Sequence, residues 1–274
     1  MTILFYKLLL GIIVGSLIGL FSYIAHFLTK SGAFAVIFIA TIVCGFGIWP
    51  TWGILILFFA SSGCIHLTKK AIKMTKDESI VEKGHTRDAW QVLANSLPAI
   101  VSLILFYYTQ NQLFLIGYIS GIAGATADTW SSEIGILSKS LPRSILTFKP
   151  TEPGLSGGIS VLGSVASFFG SLLITLAFCL MYSWYPISQL STHLFIVVPL
   201  TCGIFNSLVD SFLGATLQTK YRCLICGQIT EQPLHHQKQT KKISGIFWLT
   251  NDWINFFSGC LTVLVSWILI FYLQ

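Results

Sequence analysis

Runs of about twenty residues without a formal charge recur along this chain, and they restrict the fold more than any other feature. A helix of that length crosses a hydrocarbon core about 30 Å thick. The runs do not alternate apolar and polar residues, which excludes a membrane β-barrel. Of the 274 residues, 54% are hydrophobic and 9% charged, where soluble domains carry about a quarter charged residues. The sequence therefore predicts an all-α, polytopic membrane protein in a single integral domain. Its spans, eight in all, are expected over residues 3–28, 33–48, 52–67, 91–108, 113–130, 157–182, 193–217 and 247–273. In the first, Gly11, Gly15 and Gly19 follow at i, i+4 and i+8, a spacing that lets a neighbouring helix approach closely. No small-residue cleavage site follows the Lys7 run, so this span is expected to be retained.

The net charge is +6, and its placement matters more than its sign. Lys and Arg concentrate in three loops, Lys69 to Arg87, Lys139 to Lys149 and Lys220 to Lys242. Such loops face the cytoplasm. With eight spans all three fall on one side, leaving both termini on the other. The expected location is a bacterial plasma membrane. Cations that flank membrane spans argue against nucleic acid as a partner, and nothing designates a protein partner.

Acids are scarce, so their positions are informative. Within Gly117 to Gly163 an apolar, small-residue helix runs into Asp128, Thr129, Ser131, Ser132 and Glu133. On a regular helix Asp128 and Glu133 point about 140° apart. A basic loop with Arg143, Thr147 and Lys149 follows, then Gly154, Ser156, Gly157, Gly158 and Ser160. Glycines let backbone come close to a ligand. If Ser156 or Ser160 opens the next span, free N–H groups there favour an anion. The Lys-Ser/Thr terminus of a soluble P-loop is missing, and a plain turn and helix start is the competing reading.

Other polar groups sit at the same ends of other spans. Arg87, Gln91 and Asn95 are spaced i, i+4, i+8, with Asp88 in the same turn serving either a ligand or a helix cap. Asp210 shares a helix face with Gly214 and Gln218. Asn251 and Asn255 sit i, i+4 beside Asp252. Polar residues inside spans are costly and point to function. Between Lys69 and Arg87, Lys69, Lys70, Lys73, Lys76, Asp77, Glu78, Glu82 and Lys83 read as a solvated loop or surface helix. Cys44, Cys64, Cys179, Cys202 and Cys260 lie in apolar spans as small hydrophobes. Cys223, Cys226, His235 and His236 have spacing that suits a structural zinc ion, although adjacent histidines fit one tetrahedral site awkwardly. A reduced loop without metal is the alternative.

Four segments then carry a resemblance. ADTWSSEIG, PR-x3-T-x-K-x4-GLSGGISVLG, VDSFLGATLQ and WLTNDWINF resemble, in this order, an integral membrane family once known only as a domain of unknown function. It includes plant phytyl-phosphate kinases and animal transmembrane relatives. The likeness runs from about Arg87 onward. It implies transfer of a phosphoryl group from a nucleoside triphosphate, CTP or ATP, to an isoprenyl monophosphate in the membrane. Magnesium uses oxygen ligands, commonly carboxylates together with substrate phosphates. On this reading Asp128, Glu133 and Asp210 hold Mg2+, with Asp252 as a further partner. Arg87, Arg143 and Lys149 clamp phosphates, and Gly154 to Ser160 supplies backbone donors. Asn95, Gln218, Asn251 and Asn255 orient ligands. Two other classes compete: a CTP-dependent lipid cytidylyltransferase, which releases pyrophosphate, and a lipid or small-molecule transporter. The latter expects an internal repeat, and none is evident.

Overall fold

The computed structural model describes residues 2–71, 86–183 and 191–273. Among these, eight helices form the body: α1 (Thr2–Ile24), α2 (Lys30–Phe46), α3 (Trp49–Ala71), α4 (Ala89–Thr109), α5 (Gln112–Gly135), α6 (Val161–Tyr182), α7 (Thr192–Thr216) and α8 (Asn251–Leu273). Two short strands, β1 (Arg143–Ser144) and β2 (Gly158–Ile159), pair between α5 and α6. Five more fold the α7–α8 connection: β3 (Lys220–Arg222), β4 (Ile229–Thr230), β5 (Leu234–His235), β6 (Lys238–Gln239) and β7 (Lys241–Ser244). β4, β3 and β7 form one antiparallel sheet, and β5–β6 is a separate hairpin. The charged residues from Lys73 to Lys83, and the uncharged connection over residues 184–190, lie outside the described residues, as does the Lys70 side chain.

The organising element is α5. It packs against α3, α4, α6, α7 and α8, and every residue from Leu115 to Ala127 is buried. Six helices (α1, α3, α4, α6, α7 and α8) are long and apolar enough to cross a membrane. The central helix is not among them, because its small and polar residues make it less apolar, a composition that suits a helix covered by protein on every side. Small residues such as Ala123, Ala125 and Ala127 let five neighbours approach. α2 has 17 residues, a length of about 26 Å at the lower limit for a span.

The glycine stripe of α1 does what its spacing predicts. Gly11, Gly15 and Gly19 are the buried residues of that helix, and a Cβ at Gly11 would stand 2.7 Å from the Thr41 Cα. The stripe seats α1 on α2. Pro199, inside α7, cannot donate to the Phe195 carbonyl; the Cys179 thiol of α6 reaches that oxygen at 3.7 Å instead.

Several helix limits differ from the expected spans. α3 runs on to Ala71 and α5 to Gly135, so polar residues expected in loops are helical. The sixth helix begins at Val161 and not at 157, because Gly157 has φ +87° and Gly158–Ile159 pairs with β1. The last begins at Asn251 and not at 247, since Gly245 has φ +81° and the chain turns over Ile246–Leu249. α1 stops at Ile24, before His26 at φ +60°.

Candidate functional site

One cavity of about 300 Å³ opens among the ends of six helices. The end of α3, the start of α4, the end of α5, the start of α6, the end of α7 and the start of α8 all contribute to it. These ends therefore share one side of the bundle. Carboxylates reach it from Asp128, Glu133, Asp210 and Glu231, and cations from Lys69, Arg87 and Lys139. Gln91, Asn95, Asn251 and Asn255 line it together with Gly154, Ser156, Gly157, Gly158 and Ser160.

Arg87 is fixed through its backbone. Its N–H donates to the Phe27 carbonyl at 2.9 Å, and its own carbonyl accepts from Thr29 N–H at 3.0 Å. The α1–α2 corner thus sets where α4 begins. The guanidinium lies 5.8 Å from the centre of the Phe58 ring. Burial pulls it below its ordinary range, while the Glu133 and Asp128 carboxylates act in the opposite direction. Asp88 is a cap. Its Oδ1 accepts from Gln91 N–H at 3.0 Å, and the Gln91 side chain accepts from Asp88 N–H, a reciprocal capping box.

Asp128 and Glu133 both line the cavity from one regular helix, because the cavity wraps around the end of α5. Their partners differ. Glu133 Oε2 accepts from Lys69 Nζ at 2.6 Å, and Lys69 is only 8% exposed. Asp210 Oδ2 accepts from Ser258 Oγ at 3.1 Å. A second, water-sized space of about 10 Å³ shares Asn95, Asp128 and Asn255 with the cavity and adds Asn206 and Ser258.

The glycine-rich segment is held from the α7–α8 connection. Ser156 N–H donates to Glu231 Oε1 at 2.7 Å, and Lys220 Nζ donates to the Ser156 carbonyl at 3.0 Å. Glu231 Oε2 accepts from Gln218 Nε2 at 2.8 Å. Burial lowers the Lys220 ammonium from its ordinary range, and Glu231 opposes that shift. A side-chain carboxylate therefore already sits on a backbone donor of the segment expected to bind an anion. Ser160 caps α6 by accepting from Gly163 N–H at 3.0 Å. Gly157, at φ +87°, is pressed on α7: an added Cβ would lie 2.5 Å from the Ala215 Cβ. Gly157→Ala is expected to lower the unfolding temperature of the protein in detergent. The backbone conformation alone costs on the order of 1–3 kcal/mol. An unchanged melting profile would show that this approach is not needed.

Four expected site residues lie outside the cavity. Arg143 and Lys149 are exposed on the β1 loop, where Arg143 Nη1 donates to the Phe148 carbonyl at 3.0 Å. Arg143 stays beside the glycine segment, since β1 pairs with Gly158–Ile159, yet neither its side chain nor that of Lys149, which follows the left-handed Phe148 (φ +55°), lines the cavity. Gln218 is buried behind Glu231. Asp252, one position after Asn251, points about 100° away from the Asn251–Asn255 face, and that face lines the cavity. Three contributors went unanticipated in sequence. In sequence Lys69 reads as part of a solvated stretch, and Lys139 as part of a basic loop. Glu231 had a legible signal: it is the sole acid between Lys220 and Lys242.

Cys223, Cys226, His235 and His236 come together in the α7–α8 connection, away from the cavity, with one potential ligand atom of each within 4.8 Å of the others.

A bundle of apolar helices with a charged, oxygen-rich cavity among their ends defines a multi-pass integral membrane protein with a built polar site. The chain belongs to the integral membrane protein DUF92 family, whose pattern it matches over residues 13–263. It is 31% identical over 275 residues to Protein PGR of Arabidopsis thaliana, covering 94% of each chain. It is 37% identical over 183 residues to an uncharacterized membrane protein of Methanocaldococcus jannaschii, covering 67% of this chain and 70% of that one. With the chloroplastic Protein VTE6 of Arabidopsis thaliana the identity is 26% over 237 residues, 83% of this chain and 61% of the relative. No solved structure matches the chain.

Proposed function

We propose that this protein is an isoprenyl phosphate kinase, transferring the terminal phosphoryl group of CTP or ATP to a membrane-held isoprenyl monophosphate at the cytoplasmic face. The observation that carries this reading is the cavity itself. Asp128 and Asp210 meet Arg87, Lys69 and Lys139 where an apolar bundle ends, so a lipid tail and a charged head can be accommodated together. The family resemblance of the segments around these residues supplies the substrate class.

The donor set fits magnesium: Asp128 and Asp210 with Asn95 and Asn255 offer only oxygen as ligand atoms, as that hard cation requires. Bound there, Mg2+ would neutralise charge on the phosphoryl oxygens of the donor. The chain's own groups do the rest. Arg87, kept charged beside two carboxylates, binds phosphate oxygens as a planar donor, and Lys139 reaches them from the rim. Asn251 and Asn255 orient the head group. In the reaction the terminal P–O bond of the nucleotide breaks with its electron pair passing to the leaving diphosphate. An oxygen of the lipid phosphate forms the new P–O bond. That oxygen is already ionised, so positioning and charge neutralisation suffice and no strong base is needed.

The test is transfer by purified protein with Mg2+, CTP or ATP labelled at the γ-phosphate, and phytyl, farnesyl or geranylgeranyl phosphate. Label is expected in a lipid diphosphate. No transfer with any of the three sinks the proposal. Retention of an α-phosphate label on the lipid, with release of pyrophosphate, would identify a cytidylyltransferase instead.

A further inference from the structure

The reaction proposed above makes no use of the cluster in the α7–α8 connection. Cys223 and Cys226 sit on the turn between β3 and β4. Cys223 N–H donates to the Gln228 carbonyl at 2.9 Å, Gly227 N–H to the Cys223 carbonyl at 3.1 Å, and Gly227 has φ +75°. This tight return brings both sulfurs to one side, and Ile225 N–H points at Cys223 Sγ from 3.4 Å. The adjacent histidines are reconciled by the opposite hairpin. His236 and Gln237 are its two turn residues, both in the left-handed region at φ 54° and 60°, as a type I′ turn demands. The turn brings the His236 ring back to 4.2 Å from that of His235, centre to centre.

We infer that Cys223, Cys226, His235 and His236 bind one structural zinc ion. Cys226 Sγ and His235 Nδ1 are 3.6 Å apart. Zinc bound at about 2.3 Å to sulfur and about 2.05 Å to nitrogen in a tetrahedron separates those atoms by about 3.6 Å. Two thiolates and two imidazoles complete four-coordination, with no open position, which suits a structural and not a catalytic site. Left-handed backbone at a histidine persists only where surroundings hold it there, and a metal on the two flanking hairpins would do so. The site has a consequence for the cavity. Glu231 lies between β4 and β5, so the ion would tie together the two hairpins that flank the carboxylate holding Ser156.

The test uses the full chain in detergent, expressed and purified with zinc available and without chelator. Metal analysis is expected to give about one zinc ion per chain, and X-ray absorption at the zinc edge a shell of two sulfurs and two nitrogens. Cys226→Ser is expected to lose the metal, whereas Lys241→Ala, on an exposed strand residue, keeps it. The absorption spectrum is read on the unaltered protein, so it decides the matter even where the cysteine variant misfolds. Zinc-free protein that also fails to take up Co2+ with thiolate charge-transfer bands would overturn the inference. So would a Cys223–Cys226 disulfide, or a metal shell without sulfur. None of these readouts depends on the kinase reaction.

Discussion

Asp128→Asn is expected to abolish phosphoryl transfer while leaving the protein inserted and folded. The substitution keeps the side-chain volume and removes one formal charge from a cavity that also contains Asp210, Glu133 and Glu231. Loss of a preorganised group that stabilises charge at a transferring centre lowers turnover by roughly 100- to 1,000-fold, and a metal ligand belongs in or above that range. Folding is expected to persist because Arg87 still faces Glu133, and no apolar contact of α5 changes. The measurement is γ-label transfer across a Mg2+ titration, with size-exclusion chromatography as the control for folding. A partial recovery at high Mg2+ would agree with a weakened metal site. Normal transfer with an unchanged Mg2+ requirement would remove Asp128 from the metal set.

The fold was largely legible in the sequence because membrane spans are a composition problem. Eight predominantly apolar runs became eight helices, six of them long and apolar enough to cross a membrane. Helix limits were less legible wherever backbone conformation decided them. Gly157 and Gly245 adopt φ values outside the helical region just before α6 and α8 begin, yet the apolar residues that follow each read as part of the span. The cavity shows a similar division. Acids and amides within spans, Asp128, Asp210, Asn95, Asn251 and Asn255, were identifiable because burying them without purpose is costly. Among the cations Arg87, spaced with Gln91 and Asn95, was identifiable; Lys69 and Lys139 were not, since Lys and Arg crowd the basic loops to which they belong. Arg143 pairs with the strand that ends the glycine segment and Lys149 precedes that segment closely in sequence, yet neither lines the cavity. Lys69 is more than sixty positions from Glu133 and meets it at 2.6 Å. Sequence distance was the wrong guide to which cation a carboxylate finds.

That pair gives the second large effect. Lys69→Met preserves the length and apolar stem of a residue only 8% exposed but deprives the Glu133 carboxylate of its closest cation. Removing one partner of a fully buried ion pair costs about 3–5 kcal/mol, because the remaining charge stays desolvated. The Glu133 side chain is 21% exposed on the cavity and Arg87 also faces it, so the expected loss is smaller, about 1–3 kcal/mol. Adding Glu133→Gln to Lys69→Met removes the stranded charge, so the double variant is expected to recover most of the stability. Unfolding of the two singles and the double in detergent measures the coupling directly. A double variant no more stable than Lys69→Met alone would show that Glu133 is not the group that Lys69 neutralises. The same cycle separates the roles of the two acids of α5. If Lys69 is the main partner of Glu133, then Glu133→Gln lowers stability more than it raises the Mg2+ requirement, and Asp128→Asn does the reverse. Equal effects on the Mg2+ requirement from both would instead place both carboxylates on the metal, with Lys69 as the counter-charge that lets them share it.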